Sequence, residues 1–176
     1  IARALVARGA KIEQEKCDGA TPLFISCQNG HHETSRFLLE CGALVNRARH
    51  DKTSPLFIAS ENGHLACVKL LLSRGADVLQ RNHRGTLPLF IASQNGRSEI
   101  VEELIAHGAP VNDGKLTGAT PLSAAAGAGR MNICRFLASI GGTIPTAFER
   151  PVIHAIGRSG FVVISNLIKK RKSLII

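Results

Sequence analysis

The sequence predicts an all-α solenoid of stacked helix-turn-helix units joined by hairpin-like finger loops, and three observations support this prediction. The phrase TPLFISCQNG, which begins at Thr21, returns as SPLFIASENG at Ser54 and as LPLFIASQNG at Leu87. A proline ladder with a step of 33 residues runs through these copies, at Pro22, Pro55, Pro88 and Pro121. Two glycine ladders keep the same step, at Gly30, Gly63, Gly96 and Gly129, and at Gly9, Gly42, Gly75, Gly108 and Gly141. Self-similarity at one fixed period is the signature of a repeat architecture.

Each copy of the phrase begins with the signals of a short helix. Thr21 is a suitable N-cap, and Pro22 suits the first helical position, where its missing N–H is not needed. Gly30 can adopt a positive φ and so end the helical segment. We therefore predict a first helix in each unit, directly after the capping position.

A second helix is predicted at roughly residues 32–41 and at the same place in the later units. Its apolar residues recur as Phe37, Leu38 and Leu39, as Leu70, Leu71 and Leu72, and as Leu104 and Ile105. A glycine follows each second helix, and the runs GALVN, GADVL and GAPVN then lead into a finger towards the next unit. Each helix pair is too small to bury its own apolar face, so we expect neighbouring units to supply the missing contacts.

The period, the glycines and the T-P-L phrase together resemble the ankyrin repeat, and the resemblance covers nearly the whole chain. It implies the C-terminal part of a truncated repeat at 1–15, full repeats at 16–48, 49–81, 82–114 and 115–145, and a degenerate capping repeat with a basic tail at 146–176. In this last unit Lys169 stands where other repeats carry leucine, and a terminal unit needs a polar outer face. The alternative is that the unit is simply eroded.

The chain departs from the family pattern directly after the T-P-L phrase. Family members often have His there, whereas this chain has Phe24, Phe57, Phe90 and Ser123. We expect the Phe copies to depend more on apolar packing between repeats. Leu87 replaces the capping Thr and cannot accept the cap hydrogen bond, so we expect the substitution Leu87→Thr to raise stability.

The composition is that of a globular chain, with 44% hydrophobic and 20% charged residues among 176. The five cysteines are odd in number and lack the close pairs of a disulfide framework or a zinc site. We interpret them as reduced structural thiols, which favours an intracellular location, cytoplasmic or nuclear. The longest apolar run, at residues 160–168, is too short to span a bilayer.

No residue pattern indicates catalysis, a cofactor or a metal. The chain has no HExxH motif and no G-x-S-x-G motif, and the run GAGR at 127–130 lacks the Lys-Ser/Thr of a phosphate loop. Glu102 and Glu103 are adjacent on a helix and point in different directions, so they are not a general acid–base pair. We therefore expect no catalytic residues, no cofactor, no metal and no small-molecule substrate.

The resemblance implies that a partner protein is held by the finger tips and by exposed positions of the first helices. The finger residues identified in this way are Asp18, His50, Asp51, His83, Arg84 and Thr117, and the basic run RNHR at 81–84 adds Arg81. The helix residues form a polar strip and are Gln28, Asn29, Glu61, Asn62, Gln94 and Asn95. Any one of these could instead be only a solvated side chain. We expect the surface as a whole to bind, with a few anchors such as Arg84 or His83 dominating the binding energy.

The net charge of +9 is concentrated in the C-terminal third of the chain. Residues 115–176 contain nine basic residues and one acidic residue, Glu149, a net charge of +8. We expect a monomer that binds an acidic or mixed-charge protein. The alternative is binding of a polyanion, nucleic acid or an anionic membrane, through this basic third and its KKRK run at 169–172. The run is equally consistent with a nuclear-import signal or a basic helix end, and the absence of Trp and Tyr argues against stacking on single-stranded bases.

Overall fold

The computed structural model describes residues 8–172, which form nine helices, eight of them in successive pairs. The helices are α1 (Pro22–Gln28), α2 (His32–Glu40), α3 (Pro55–Asn62), α4 (Leu65–Ser73), α5 (Pro88–Asn95), α6 (Ser98–Ala106), α7 (Pro121–Gly127), α8 (Met131–Ser139) and α9 (Thr146–Lys172). Within this range the β pairing is limited to one isolated antiparallel bridge between Thr86 and Lys115. The all-α repeat solenoid predicted from the sequence is confirmed.

The helices lie in two rows. The first helices of the units pack in the order α1, α3, α5, α7 and α9, and the second helices pack in the order α2, α4, α6 and α8. The two helices of each pair also pack against each other. Each unit therefore buries its apolar faces against its neighbours, as expected of a solenoid.

Leucine rows form the centre of the core. The first helices contribute Leu23, Leu56, Leu89 and Leu122, which are at most 1% exposed. The second helices contribute the fully buried Leu71, Leu104 and Leu137. Because burial of one leucine side chain contributes about 1.5–3 kcal/mol, these rows supply a large part of the cohesion between units.

Three of the four first helices in the pairs begin with a side-chain cap. The hydroxyls of Thr21 and Ser54 accept hydrogen bonds from the backbone N–H groups of Phe24 (3.2 Å) and Phe57 (3.1 Å). Thr120 forms the equivalent cap of α7. Leu87 makes no cap hydrogen bond, as predicted, but its side chain is only 1% exposed. The leucine side chain therefore fills a core position, and the burial lost in Leu87→Thr opposes the gain from a restored cap.

The aromatic residues that follow the T-P-L phrase are part of the packed interior. Phe24, Phe57 and Phe90 are all buried, at 1%, 4% and 4% exposure. Such burial is required for the apolar packing expected at these positions, although the dependence of stability on it stays a prediction.

The last helix is interrupted. Gly157 has non-helical angles (φ 72°, ψ 166°), and Pro151 lies inside the first part of α9. The helical stretch Thr146–Lys170, with a mean hydropathy of 1.3, is long and apolar enough to cross a membrane by length and composition alone. The sequence did not indicate this, because the longest uninterrupted apolar run, at 160–168, is much shorter. The break divides it into segments 146–156 and 158–172, each shorter than the roughly 20 residues that a spanning helix needs. Val152 and Ile164 are buried in the common core, so α9 packs as the end of the array.

Candidate functional site

Four five-residue turns form a row along one edge of the solenoid. They comprise residues 16–20, 49–53, 82–86 and 115–119, here called the first to fourth finger. In each finger the N–H of the first residue donates to the carbonyl of the fifth, at 3.0–3.1 Å. Neighbouring fingers are also joined by backbone hydrogen bonds, for example from the N–H of His83 to the carbonyl of Asp51 at 2.8 Å. These bonds hold the finger tips at fixed positions.

An aspartate stabilises each of the first two fingers from its third position. Oδ1 of Asp18 accepts from the N–H of Ala20 at 3.1 Å, and Oδ1 of Asp51 accepts from the N–H of Thr53 at 3.0 Å. A short polar side chain that binds the backbone two residues further on is a common way to fix a turn. The third position of these fingers is therefore occupied by a structural carboxylate.

The third finger uses a different residue for the same task. Oδ1 of Asn82, at the first position, accepts from the N–H groups of Arg84 and Thr86, both at 3.0 Å. The third position then needs no capping side chain, and it carries Arg84 instead of an aspartate. Arg84 is exposed, and its guanidinium makes no hydrogen bond or ion pair with the residues that the structure describes.

The first finger position also determines what covers the buried aromatic rings. The guanidinium of Arg49 lies 5.4 Å from the centroid of Phe24, and Nζ of Lys115 lies 5.0 Å from the centroid of Phe90. Such cation–aromatic pairs are favourable. Asn82 stands at the equivalent place for Phe57, and no cation of the described residues lies over that ring.

A cavity of about 360 Å³, here called the inter-finger pocket, opens between the second and third fingers. Five of its lining residues belong to the predicted site: Asp51, Glu61, His83, Arg84 and Gln94. Sequence reasoning did not identify the other eight: Arg49, Thr53, Phe57, Ile58, Asn82, Thr86, Ile91 and Lys115. Three of these eight, Arg49, Asn82 and Lys115, recur every 33 residues at the first finger position. This recurrence in the sequence could have identified them.

The charges in the inter-finger pocket are not balanced. Arg49 forms an ion pair with Asp51, and this hydrogen-bonded guanidinium holds the pKa of the Asp51 carboxyl well below its usual range. Those two charges neutralise each other. Arg84 and Lys115 then leave two cations in the pocket lining against one further carboxylate, Glu61. The inter-finger pocket therefore favours a negatively charged group.

A family model for ankyrin repeats, of three copies, matches residues 1–82 and 78–147. The chain belongs to the ankyrin-repeat family. No curated protein shows a significant match to it. Ankyrin repeats are generally protein-interaction modules, and proteins built from them typically have no catalytic activity.

Some predicted site residues of this ankyrin array connect repeats instead of lining the inter-finger pocket. Nδ2 of Asn62 donates to the carbonyl of Gln28 at 2.9 Å, and Nδ2 of Asn95 donates to the carbonyl of Glu61 at 3.0 Å. The polar strip predicted from the sequence is thus in part a ladder of hydrogen bonds between successive first helices. Asn29 donates within its own repeat, to the carbonyl of Ile25 at 2.9 Å.

The Arg81 side chain likewise connects parts of the array instead of lining the inter-finger pocket. Its Nη1 donates to the carbonyls of Gly85 (2.7 Å) and Gly114 (3.1 Å), and its Nη2 pairs with Asp113 at 2.5 Å. The side chain therefore fastens the third finger to the loop before the fourth. It is absent from the lining of the inter-finger pocket.

The remaining predicted residues lie on the surface away from the inter-finger pocket. Asp18, His50 and Thr117 are exposed at the tips of the first, second and fourth fingers, and Gln28 is half-buried at the end of α1. Of the thirteen residues that we identified from the sequence, the structure brings together the five that line the pocket.

The described residues offer little for other chemistry. They contain no group of three or more His, Cys, Asp or Glu side chains that could hold a metal ion. All five cysteines are free thiols; Cys17 is exposed, while Cys27, Cys67 and Cys134 are buried. Burial raises the pKa of the Cys134 thiol to about 11, which makes this residue a poor nucleophile at neutral pH.

Proposed function

We propose that this ankyrin array is a non-catalytic protein-interaction module that holds an acidic or mixed-charge segment of a partner protein along its fingers and first helices. The inter-finger pocket is the centre of that surface. The observation that carries the proposal is Arg84, an exposed guanidinium with no hydrogen bond or ion pair to any described residue, which lines the inter-finger pocket together with Lys115.

The partner segment is most favourably acidic at the inter-finger pocket and mixed elsewhere. A carboxylate that enters the pocket meets Arg84 and Lys115, and a charge-assisted hydrogen bond to Arg is among the stronger polar contacts. Glu61 lies in the same lining and can accept an N–H of the segment. Because the finger row is fixed by backbone hydrogen bonds, little conformational entropy is lost on binding.

A charge reversal with a matched control tests this function. Fluorescence anisotropy of a fluorescein-labelled peptide of Asp, Glu and Gly residues is measured with the wild type and with Arg84→Glu and Arg74→Glu. Arg74 is exposed at the end of α4, outside the pocket lining, so its variant changes the net charge equally. We expect Arg84→Glu to weaken binding by about tenfold or more, and Arg74→Glu to change it by about twofold at most. If both variants lost the same amount of peptide affinity, net charge alone would explain the binding, and a defined site at the inter-finger pocket would be contradicted.

The second candidate function is binding of a polyanion, nucleic acid or an acidic membrane, by the basic C-terminal third. The observation that favours it is the outer face of the segment 158–172, where Arg158 and Lys169 are exposed beside the exposed Val162 and Val163. This function requires an affinity for duplex DNA or anionic vesicles that falls steeply with salt. It also requires that Arg84→Glu leaves that affinity unchanged while Lys169→Glu lowers it.

We further propose an intracellular location and a monomeric state. Five unpaired thiols support the location, since disulfides are rare in reducing compartments. The exposed large apolar side chains in the described part of the chain support the monomer, because they are few: Leu44, Leu79, Leu116, Val162 and Val163.

A further inference from the structure

The fourth position of the second finger breaks a pattern that the other fingers keep. The first, third and fourth fingers have Gly19, Gly85 and Gly118 there, with φ values of 82°, 67° and 84°. The second finger has Lys52, with a φ of 63°, and it is the one positive-φ residue other than glycine in the described part of the chain. Residues with a β-carbon rarely adopt a positive φ, and those that do are most often Asn or Asp, not Lys. Strained residues of this kind cluster at functional sites, which directs attention to what Lys52 does.

In two other fingers, the glycine provides a seat for the next finger. A β-carbon added at Gly19 would lie 2.3 Å from Cδ2 of His50, and one added at Gly85 would lie 2.4 Å from Cγ of Leu116. The side chain at the second position of the following finger therefore occupies the space over the glycine. The contact closes the gap between those neighbouring fingers.

Lys52 has a β-carbon, so the equivalent space beside the third finger is already filled. His83, the counterpart of His50 and Leu116, cannot sit over residue 52 in the same way. Its Nδ1 lies 3.2 Å from the carbonyl oxygen of Asp51, and its side chain lines the inter-finger pocket. The pocket thus lies between the two fingers where the glycine seat is missing.

We infer that the β-carbon of Lys52 keeps the inter-finger pocket open, because it prevents the His83 ring from packing over residue 52 as it could over a glycine. The open pocket then receives a carboxylate side chain of an acidic peptide segment. This inference rests on the proposed function and deepens it. Lys52 is itself exposed on the second finger, outside the pocket lining, and its charge adds to the positive charge of the fingers that flank the pocket. The partner is therefore a segment with an Asp or Glu anchor, not a basic segment.

Two substitutions at the same position separate the β-carbon from the charge. Lys52→Asn removes the charge, keeps a β-carbon and tolerates a positive φ, whereas Lys52→Gly removes both the charge and the β-carbon. The probe is the fluorescein-labelled peptide of Asp, Glu and Gly residues, with a peptide in which Lys replaces every acid as its control. We expect about twofold to threefold weaker binding for Lys52→Asn and about tenfold weaker binding for Lys52→Gly. The melting temperature of Lys52→Gly should lie above that of the wild type, so that the lost binding cannot result from unfolding.

A second measurement follows the seat directly and needs no ligand. In Lys52→Gly, nuclear Overhauser contacts should appear between the His83 ring protons and the α-protons of residue 52, and Lys52→Asn should not show them. Equal peptide affinities for Lys52→Gly and Lys52→Asn, or a His83 ring that stays in place in both, would overturn the role of Lys52. If the wild type binds the acidic peptide and Arg84→Glu does not, the proposed function stands even then. A wild type that ignores the acidic peptide, or prefers the Lys peptide, overturns both.

Discussion

The guanidinium of Arg49 lies 5.4 Å from the centroid of the Phe24 ring, so a cation of one repeat covers an aromatic ring of the preceding repeat. The same guanidinium forms an ion pair with Asp51 in its own finger. One side chain therefore connects the buried interface between two repeats to the wall of the inter-finger pocket. Substitution of Asp51 should therefore change both the free energy of unfolding and the affinity for a ligand in the pocket.

The first prediction concerns acid sensitivity. The pKa of Asp51 is lowered in the folded state, chiefly by its hydrogen bond from Arg49. A lowered carboxyl pKa contributes stability that is complete above the ordinary value of about 3.9 and is lost as the pH falls from there towards the lowered value. We expect Asp51→Asn to cost about 0.5–1 kcal/mol at pH 7 and progressively less below about pH 4. Urea unfolding at a series of pH values measures this difference.

The control for the acid experiment is Glu33→Gln, since the Glu33 side chain is 79% exposed and its ion pair with Arg36 is at 3.4 Å. Its unfolding free energy should follow that of the wild type over the same pH range. A constant difference between Asp51→Asn and the wild type at all pH values would contradict the role assigned to the Asp51 charge.

The second prediction separates two arginines of one finger. Arg81→Ala removes hydrogen bonds to two carbonyls and an ion pair to Asp113, so we expect a loss of about 1–3 kcal/mol in unfolding free energy. Arg84→Ala removes no hydrogen bond or ion pair to a described residue, so it should change stability by about 0.5 kcal/mol at most. Denaturant midpoints of the two variants, measured side by side, test this. A larger loss for Arg84→Ala than for Arg81→Ala would be inconsistent with the structure.

The third prediction reverses the expectation drawn from the sequence for Leu87. The substitution Leu87→Thr would restore a cap worth about 1 kcal/mol. It would also remove a leucine that is only 1% exposed, and loss of such burial costs about 2 kcal/mol or more. We therefore expect a lower melting temperature. A matched comparison is Thr21→Leu in α1, which removes an existing cap hydrogen bond and should also lower the melting temperature.

The fourth prediction uses the cysteines as reporters of the packed repeats. Cys17 is exposed, Cys41 is intermediate, and the other three thiols are buried. The pKa of Cys134 is raised by burial, and that of Cys27 is raised by its hydrogen bond with Cys67 and by burial. Mass spectrometry after brief treatment with iodoacetamide should find Cys17 modified first and the three buried thiols modified only with denaturant. Early modification of Cys134 in the native protein would mean that the last repeats do not pack as described.

The sequence predicted the architecture because each repeat carries its own local signals. Pro22 and its counterparts lie at the first turn of a helix, and Thr21, Ser54 and Thr120 cap three of those helices. Such signals act within a few residues, so they can be interpreted without knowledge of the tertiary structure. The sequence showed the missing cap at Leu87 but not its burial, because burial depends on neighbours that are distant in sequence.

The details of the site were harder to predict for the same reason. Arg81 and Arg84 are chemically identical in the run RNHR, and the contacts of Arg81 to the loop before the fourth finger show which of the two side chains stabilises the fold. Asn82 caps its turn and also stands where two other fingers place a cation over a buried ring. The ring concerned, Phe57, lies 25 residues earlier in the chain, so the sequence did not show this connection. In the sequence Lys52 is only one more basic residue, because its effect on His83 depends on how two fingers pack.

The central claim is that the inter-finger pocket is where this ankyrin array holds an acidic segment. The most direct measurement is an amide chemical-shift map of the isotopically labelled protein as the peptide of Asp, Glu and Gly residues is added. We expect the largest changes at Asp51, His83, Arg84 and Gln94, around the pocket, and we expect them to disappear in Arg84→Glu. Changes confined to residues 158–172, or spread evenly over the basic surface, would contradict it.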